Sequence, residues 1–175
     1  MIMPSRIFFS VISLILRSGE KRAKFFRRMG VFNHIGDNVM IQGWKVPLYP
    51  KLISIGNNVR IASNVTFCTH DVAHNMLNNI ESDFYASVSD KVCFKEMKGR
   101  IEIGDNVFIG ANTLILYNTK IGNNVIVAAG SVVTKDLDGD SVYAGVPARK
   151  VGTFIDFVKK GLNTPSEWRP FDKAK

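Results

Sequence analysis

The chain has 175 residues, which suits one domain, and 46% of them are hydrophobic. Its formal net charge of +8 lies in the flanks: residues 1–30 hold seven basic residues against one acidic, residues 149–175 hold seven against three, and the remainder holds nine against eleven. A nucleic-acid-binding surface needs basic residues and aromatic rings on the folded core, so this distribution argues against a nucleic-acid partner.

Residues 5–29 are predicted to form one amphipathic basic helix, because they contain no proline and their apolar residues recur at helical spacing. The apolar run within it, residues 7–16, is much shorter than the ~20 residues that cross a bilayer. The helix is expected either to cap one end of the fold or to lie on an anionic membrane surface. The cap is favoured, because an uncovered end of a repeat fold exposes strand edges.

Two features of the sequence predict a cytoplasmic location. The strongest positive charge follows the apolar run instead of preceding it, and no small-residue cleavage site is present, which argues against a signal peptide. Cys68 and Cys93 are too few for a disulfide framework and predict reduced thiols. If residues 5–29 lie on a membrane, the protein is expected at its inner face.

A six-residue repeat follows the predicted helix. An aliphatic residue followed by a small one, as in Ile55-Gly56 and Ile103-Gly104, recurs at multiples of six within each block, and Val, Thr or Ser occupies the fifth position. An even period places positions one and five on the same face of an extended strand, whereas it drifts around an α-helix. The repeat therefore predicts a β-solenoid with buried columns of isoleucine and valine. The twelve predicted hexads begin at Ile35, Ile41, Pro47, Ile55, Ile61, Phe67, Ile103, Ile109, Ile115, Ile121, Val127 and Val133.

The repeat is interrupted twice. Ile35 and Ile55 are twenty residues apart instead of eighteen, so a two-residue insertion is predicted within residues 47–51. The larger interruption, residues 71–100, is predicted to be a long excursion loop. The domain of repeats is accordingly placed at residues 31–152, after an N-terminal segment of residues 1–30.

The repeat is expected to end after Val133 in a polar segment rich in turn residues. In the C-terminal tail, residues 153–175, the apolar residues of 154–160 predict a short closing helix. Trp168 and Phe171 are expected either to hold the terminus against the fold or to be frayed.

Three segments carry a family resemblance. They are Phe108-Ile109-Gly110-Ala111-Asn112, residues 128–136 (Ala-Ala-Gly-Ser-Val-Val-Thr-Lys-Asp) and residues 144–149 (Ala-Gly-Val-Pro-Ala-Arg). Together with the hexads and a histidine-bearing loop after a Thr-Phe strand, they resemble the hexapeptide-repeat acyltransferases. Within that family the chain is most similar to the small sugar and polysaccharide O-acetyltransferases related to galactoside, maltose and xenobiotic acetyltransferases. The resemblance covers residues 31–152.

The resemblance implies a mainly β fold, a left-handed parallel β-helix with three hexads to a coil, flanked by the N-terminal helix and the C-terminal helical tail. It implies a homotrimer with acetyl-CoA in the groove between adjacent subunits. The implied reaction is transfer of an acetyl group to a saccharide hydroxyl, as in the biosynthesis of surface polysaccharides, with a small or lipid-linked saccharide as acceptor.

The resemblance also implies a catalytic histidine at the start of the excursion loop. Neutral imidazole can remove the acceptor proton near pH 7, and the oxyanion needs a donor such as a backbone N–H. His70, in the sequence Phe-Cys-Thr-His-Asp, is the first candidate. His74 is the second, because some relatives place their histidine several residues farther from the strand, and the start of this loop departs from the galactoside-type enzymes by being two residues shorter. A carboxylate such as Asp71 or Glu81 could fix the imidazole tautomer, and His34 is assigned a packing or solvated position.

Residues carried over by position from the family predict the acetyl-CoA groove. Small residues would let the pantetheine lie against the backbone, although tight corners also explain alanine there. Lys135 and Arg149 would bind the phosphates of acetyl-CoA. The predicted cofactor-binding residues are Phe108, Ala111, Ala129, Thr134, Lys135 and Arg149.

Other functions remain open at this point. A γ-class carbonic anhydrase shares the solenoid, but its zinc needs three histidines and residues 103–133 contain none, so no metal is expected. A non-catalytic hexapeptide scaffold is a further alternative. Among acetyltransferases, an amino sugar, serine or an antibiotic could replace the saccharide hydroxyl as acceptor.

Overall fold

The structure is a computed structural model that describes residues 6–81, 84 and 93–162. Four α-helices and thirteen short strands are present in this part of the chain. The helices are α1 (Arg6–Ile15), α2 (Gly19–Arg28), α3 (Ala73–Leu77) and α4 (Phe154–Leu162). The strands are β1 (His34–Ile35), β2 (Met40–Ile41), β3 (Ile53–Ile55), β4 (Arg60–Ile61), β5 (Thr66–Cys68), β6 (Ile101–Ile103), β7 (Val107–Ile109), β8 (Leu114–Leu116), β9 (Thr119–Ile121), β10 (Val125–Val127), β11 (Val132–Val133), β12 (Ser141–Ala144) and β13 (Arg149–Thr153).

The strands form three sheets, and the chain visits the sheets in rotation. The first sheet has the order β1-β3-β6-β9, the second β13-β12-β10-β7-β4-β2 and the third β11-β8-β5. All paired strands are parallel except β12 and β13. The mainly β architecture and the extended conformation of the hexads agree with the repeat prediction.

The repeat positions line the core. Ile103 pairs with Ile121 and Val107 pairs with Val125, so the coils in this part of the chain repeat after eighteen residues. The first-position residues from Ile109 to Val133 are completely buried, and the fifth-position Val107, Thr113, Thr119, Val125 and Ser131 are at most 3% exposed. The predicted columns of buried aliphatic residues are confirmed.

Coil length varies where the sequence departs from the repeat. His34 pairs with Ser54, twenty residues later, which confirms the two-residue insertion. A 3₁₀ turn at Pro50–Leu52 lies in the same connection. The prediction that Pro47 opens a strand hexad is wrong: no strand is assigned there, and Val46 is buried at 3% while Pro47 is partly exposed. Proline has no N–H to donate to a ladder, so the third sheet lacks a strand from the first coil.

Asparagines and close backbone contacts form the corners. At one corner the φ angles of four stacked residues lie between 53° and 56°, the left-handed conformation that asparagine tolerates. Each side-chain Nδ2 donates to the Oδ1 of the residue one coil further on, at 2.8–2.9 Å, the last acceptor being Asp140. A Cβ at Gly56 would lie 2.6 Å from the carbonyl oxygen of Gly104, so only glycine lets these coils stack. The four stacked asparagines are Asn38, Asn58, Asn106 and Asn124.

The single helix predicted over residues 5–29 is wrong, because the chain breaks between α1 and α2. Ser18 is extended and its hydroxyl caps α2 by accepting from the Lys21 N–H at 3.5 Å. The helix α2 packs against β1 and β2 and buries Ala23 and Phe26. It therefore covers the strand edges of the first coil.

Buried Arg22 joins the two helices to the first coil. Its guanidinium donates to the carbonyl oxygens of Ser13 at 3.1 Å and Leu16 at 2.6 Å, which lie at the end of α1. It also donates to those of Ile41 at 2.7 Å and Gln42 at 2.9 Å. Burial lowers the pKa of Arg22, and the four carbonyl contacts offset the cost of burying the charge.

The C-terminal part extends further than the repeat predicts. The repeat does not stop after Val133, because Leu137, Ser141 and Tyr143 are buried and β12 continues the second sheet. This last coil is short, since Val125 pairs with Ser141 only sixteen residues later. The predicted closing helix is confirmed as α4, and the calls on Trp168 and Phe171 lie outside the described residues.

Within the described ranges, no helix has the length and apolar character needed to cross a membrane.

Candidate functional site

The excursion loop leaves and rejoins the coil as a closed neck. The Asp71 N–H donates to the Met97 carbonyl at 2.9 Å, and the Gly99 N–H donates to the Thr69 carbonyl at 3.0 Å. His70 lies between them and forms an antiparallel bridge with Lys98. The start of the loop is thereby held at the end of β5, and the His70 backbone has a defined position.

The insertion in the first coil reaches this neck. Thr69 is 1% exposed and its hydroxyl donates to the Leu48 carbonyl at 2.5 Å. Tyr49, in a left-handed conformation with φ 53°, presents its ring to the imidazole of His70. The two ring centroids are 5.4 Å apart and the planes cross at 87°, an edge-to-face contact. The insertion thus supplies one wall of the histidine site.

A carboxylate and an ammonium group complete that wall. The Tyr49 hydroxyl donates to the Glu96 carboxylate, with oxygen distances of 2.8 and 2.9 Å. This hydrogen bond raises the pKa of Tyr49. Lys98 Nζ lies 5.0 Å from the centroid of the Tyr49 ring and 3.9 Å from Glu96. Tyr49, Glu96 and Lys98 therefore form a cluster against His70.

Asp71 faces a different tyrosine. Its Oδ2 accepts from the Tyr117 hydroxyl at 2.6 Å, and its Oδ1 accepts from the Ala73 N–H at 3.1 Å. The tyrosine hydrogen bond, followed by the backbone one, lowers the pKa of Asp71, and the same contact raises the pKa of Tyr117. The histidines His74 and His70 add a smaller electrostatic contribution that lowers the pKa of Asp71 further.

Both candidate histidines keep one ring nitrogen without a partner. Nδ1 of His70 and Nδ1 of His74 are buried and lack a hydrogen bond among the described residues. Asp71 was expected to fix an imidazole tautomer, but it forms no direct hydrogen bond to either imidazole among the described residues. Both of its carboxylate oxygens accept from other donors. His74 lies on α3, one helical turn inside the loop, whereas His70 lies in the neck itself. Glu81 is exposed.

The predicted cofactor residues fall into two groups. Phe108 points outward from β7 and is 41% exposed, and Ala111 and Ala129 follow β7 and β10 at the same corner in successive coils. The Gly130 N–H donates to the Ala111 carbonyl at 2.8 Å. Arg149 on β13 pairs with Ala144 at the edge of the same sheet and is exposed.

The second group lies on the other side of the third sheet. Thr134 and Lys135 are exposed and follow β11, as Tyr117 follows β8 and His70 follows β5. These three strands are parallel neighbours, so their ends share one corner. Lys135 therefore lies at the same corner of the coils as His70. Phe108, Ala111 and Ala129 lie on the other side of the third sheet.

Four residues that contact His70, Asp71 or their partners were not predicted from the sequence: Tyr49, Glu96, Lys98 and Tyr117. Tyr49 lies in the two-residue insertion, and a departure from a regular repeat is a signal that could have indicated it. Glu96 and Lys98 stand in the non-repetitive loop, where no periodic pattern identifies a contact with His70. Residues 82–83 and 85–92 of that loop lie outside the described residues.

Comparisons with known proteins agree with this architecture. Residues 100–135 match the family described as bacterial transferase hexapeptide (six repeats). The galactoside O-acetyltransferase of Escherichia coli (strain K12) is 35% identical over 125 residues, which are 70% of this chain and 55% of that protein. The chain spans about half the length of the curated relatives it matches.

Solved structures share the fold. The hexapeptide-repeat containing acetyltransferase of Vibrio cholerae has a TM-score of 0.60 at 22% identity, covering 85% of this chain and 88% of that one. A maltose O-acetyltransferase from Clostridium difficile 630 has a TM-score of 0.55 at 26% identity, covering 85% of each chain. A second Vibrio cholerae structure, with a TM-score of 0.51 at 22% identity and 85% coverage of each chain, is complexed with acetyl coenzyme A. The chain carries the bacterial transferase hexapeptide repeat, and it resembles the hexapeptide-repeat acetyltransferases in sequence and in fold.

Proposed function

We propose that this protein is an acetyl-CoA-dependent acetyltransferase that moves an acetyl group to a saccharide hydroxyl, with His70 as general base. The observation that carries the proposal is the position of His70 in the closed neck of the excursion loop, on the corner that also bears Lys135. The similarity to acetyltransferases named for galactoside and maltose supports the saccharide class of acceptor.

In the proposed reaction His70 acts on the acceptor. The imidazole removes the hydroxyl proton while the oxygen forms a bond to the thioester carbonyl carbon. Collapse of the tetrahedral intermediate breaks the carbon–sulfur bond, and the imidazolium returns its proton to the departing thiolate. Tyr49 restricts the ring through its edge-to-face contact. No covalent bond to the protein is required.

The groove for acetyl-CoA is proposed to form between subunits. The described residues fit the ligand chemically: Lys135 and Arg149 offer exposed cations for phosphates, and Phe108 offers an exposed ring. In one subunit, however, Lys135 lies on the opposite side of the third sheet from Phe108 and Arg149.

We propose a left-handed β-helix of triangular coils that assembles as a homotrimer, in which the His70 corner of one subunit contacts the Ala129 corner of its neighbour. Sedimentation that shows a stable monomer at micromolar concentration would contradict this assembly.

The domain division proposed from the sequence is retained. Residues 31–152 form the catalytic unit, residues 1–30 and 153–175 flank it, and the proposed location is cytoplasmic. An amino group as acceptor, on an amino sugar for example, is the second candidate, because the same base and groove serve both nucleophiles.

The function is tested with acetyl-CoA and a panel of saccharides, amino sugars and serine, with release of free thiol as the measurement. We expect thiol release above the hydrolysis background with saccharides that carry free hydroxyls, and mass spectrometry should locate the acetyl group on oxygen. If no compound raises thiol release and acetyl-CoA does not bind, the proposal is wrong.

Replacing Arg149 with alanine should raise the KM for acetyl-CoA by about 10- to 150-fold, the range for loss of one hydrogen bond to a charged group, and leave kcat within about twofold. A phosphate contact is made equally in the ground and transition states, so its loss weakens binding without slowing chemistry. Initial rates at varied acetyl-CoA measure both constants. The matched control is Lys150→Ala, which removes a neighbouring exposed cation of the same strand and should leave both constants unchanged. A fall in kcat alone for Arg149→Ala would contradict the assignment.

A further inference from the structure

The first helix carries a stripe of exposed apolar side chains. Val11, Leu14 and Ile15 are 55%, 59% and 76% exposed, although each is aliphatic. The spacing of the set is that of one helical face, since successive members are one or three residues apart. The stripe consists of Ile7, Phe8, Val11, Leu14 and Ile15.

The opposite side of α1 is fixed to the fold. Phe9 is 8% exposed and packs edge-to-face against Phe25 of α2, with ring centroids 6.2 Å apart. Ser13 is completely buried, its hydroxyl donates to the Trp44 carbonyl, and its own carbonyl accepts from Arg22. The helix cannot turn its apolar stripe inward without breaking these contacts, so the stripe faces away from the described body of the protein.

A basic face adjoins the stripe. Lys21, Lys24 and Arg28 are exposed and lie three and four residues apart, on one face of α2. None of the three forms an ion pair among the described residues, and Glu20 is the one acidic residue of α2. At the turn between the helices, Ile15 and Lys21 line the same shallow hollow. Apolar and cationic side chains thus meet at one edge.

We propose that α1 and α2 together dock the protein on an anionic membrane surface, with the stripe inserted among the acyl chains and the basic face on the headgroups. An apolar helix face beside a cationic one is the pattern that interfacial helices use. A second copy of this chain fits less well, because it would bring two cationic faces together. The proposal goes beyond the acetyltransferase proposal and does not depend on it.

The other end of the molecule offers a matched control. The helix α4 also exposes apolar side chains, Ile155 at 56% and Phe157 at 50%, and it carries Lys159 and Lys160. It packs against β12 and β13, at the opposite edge of the second sheet from β2, which α2 covers. One flat membrane cannot contact both ends, so changes in α4 should not affect docking through α1.

The test is co-sedimentation of the full chain with vesicles of phosphatidylglycerol and phosphatidylcholine in equal parts, compared with phosphatidylcholine alone. We expect binding to the anionic vesicles and at least tenfold weaker binding to the neutral ones. Lys21→Glu with Lys24→Glu should weaken anionic binding by roughly 30-fold or more, since each cation near such a surface contributes about a factor of five. Val11→Ser with Leu14→Ser should weaken binding to a similar or greater extent, whereas Ile155→Ser with Phe157→Ser should not change it.

Several results would overturn the proposal. One is failure of the wild-type chain to sediment with anionic vesicles, and another is a loss of binding in the α4 variant as large as that in the α1 variant. Loss of the native oligomeric mass in Val11→Ser with Leu14→Ser, measured by analytical ultracentrifugation without lipid, would make the stripe a contact between copies. Thermal unfolding of each variant checks that the fold is retained. Lys21→Glu with Lys24→Glu tests the proposal separately from the apolar variant, because both lysines are exposed and their replacement should not disturb the fold.

Discussion

Replacing His70 with alanine should lower the turnover number by about 10²- to 10⁴-fold, the usual contribution of a positioned general base. The affinity for acetyl-CoA should stay nearly the same, because the base acts on the acceptor hydroxyl. Stability should change little, since the imidazole is partly exposed and its Nδ1 has no hydrogen-bond partner in the described structure. Steady-state kinetics with the acceptor found in the panel measure turnover, and equilibrium binding measures the affinity.

Two further histidine variants make the result specific. His74→Ala should reduce turnover less, because His74 lies on α3 inside the loop and not in the neck. His34→Ala is the matched control, because His34 is exposed on β1 of the first sheet, whereas His70 follows β5 of the third. This variant should leave the turnover number and the affinity for acetyl-CoA unchanged. Near-normal turnover in His70→Ala with collapse in His74→Ala would transfer the role to His74. Normal turnover in both would remove histidine base catalysis from the proposal.

Replacing Ile109 with alanine should lower the free energy of unfolding by about 2–5 kcal/mol, the range for truncating a buried aliphatic side chain. Ile109 is completely buried and pairs with Ile61 and Val127 in neighbouring coils. Parallel coils stack at a fixed spacing because backbone hydrogen bonds join them, so the coils cannot collapse into the cavity. Urea unfolding at one fixed protein concentration measures the loss, since the proposed trimer would unfold in a concentration-dependent way.

The control for this prediction makes the same chemical change on the surface. Ile155→Ala on α4 removes the same atoms from a side chain that is 56% exposed, and it should cost less than about 1 kcal/mol. Ile109→Val should fall between, at about 0.5–1.5 kcal/mol. Equal losses for the two alanine variants would mean that the repeat positions do not form the stabilising core.

The sequence by itself determined the repeat and what the repeat buries. An even period is a local property, because the side chains of a strand alternate faces whatever lies elsewhere in the chain. The buried columns and the two-residue insertion could therefore be predicted. The C-terminal helix was predicted separately, from the apolar residues of 154–160. The position of the interruption also placed His70 and His74 at the start of a loop.

The tertiary structure alone decided how distant segments meet. Arg22 joins α1 and α2 to the first coil through carbonyl partners that include Ile41 and Gln42, and helical spacing does not predict these contacts. The contact of Tyr49 with His70 likewise joins residues twenty-one positions apart in non-periodic segments. The separation of Lys135 from Ala129 by the third sheet follows from the rotation of the chain through three sheets. Such contacts arise from the order in which coils stack, so a one-dimensional pattern specifies the strands and their buried faces but not which side chains meet outside the core.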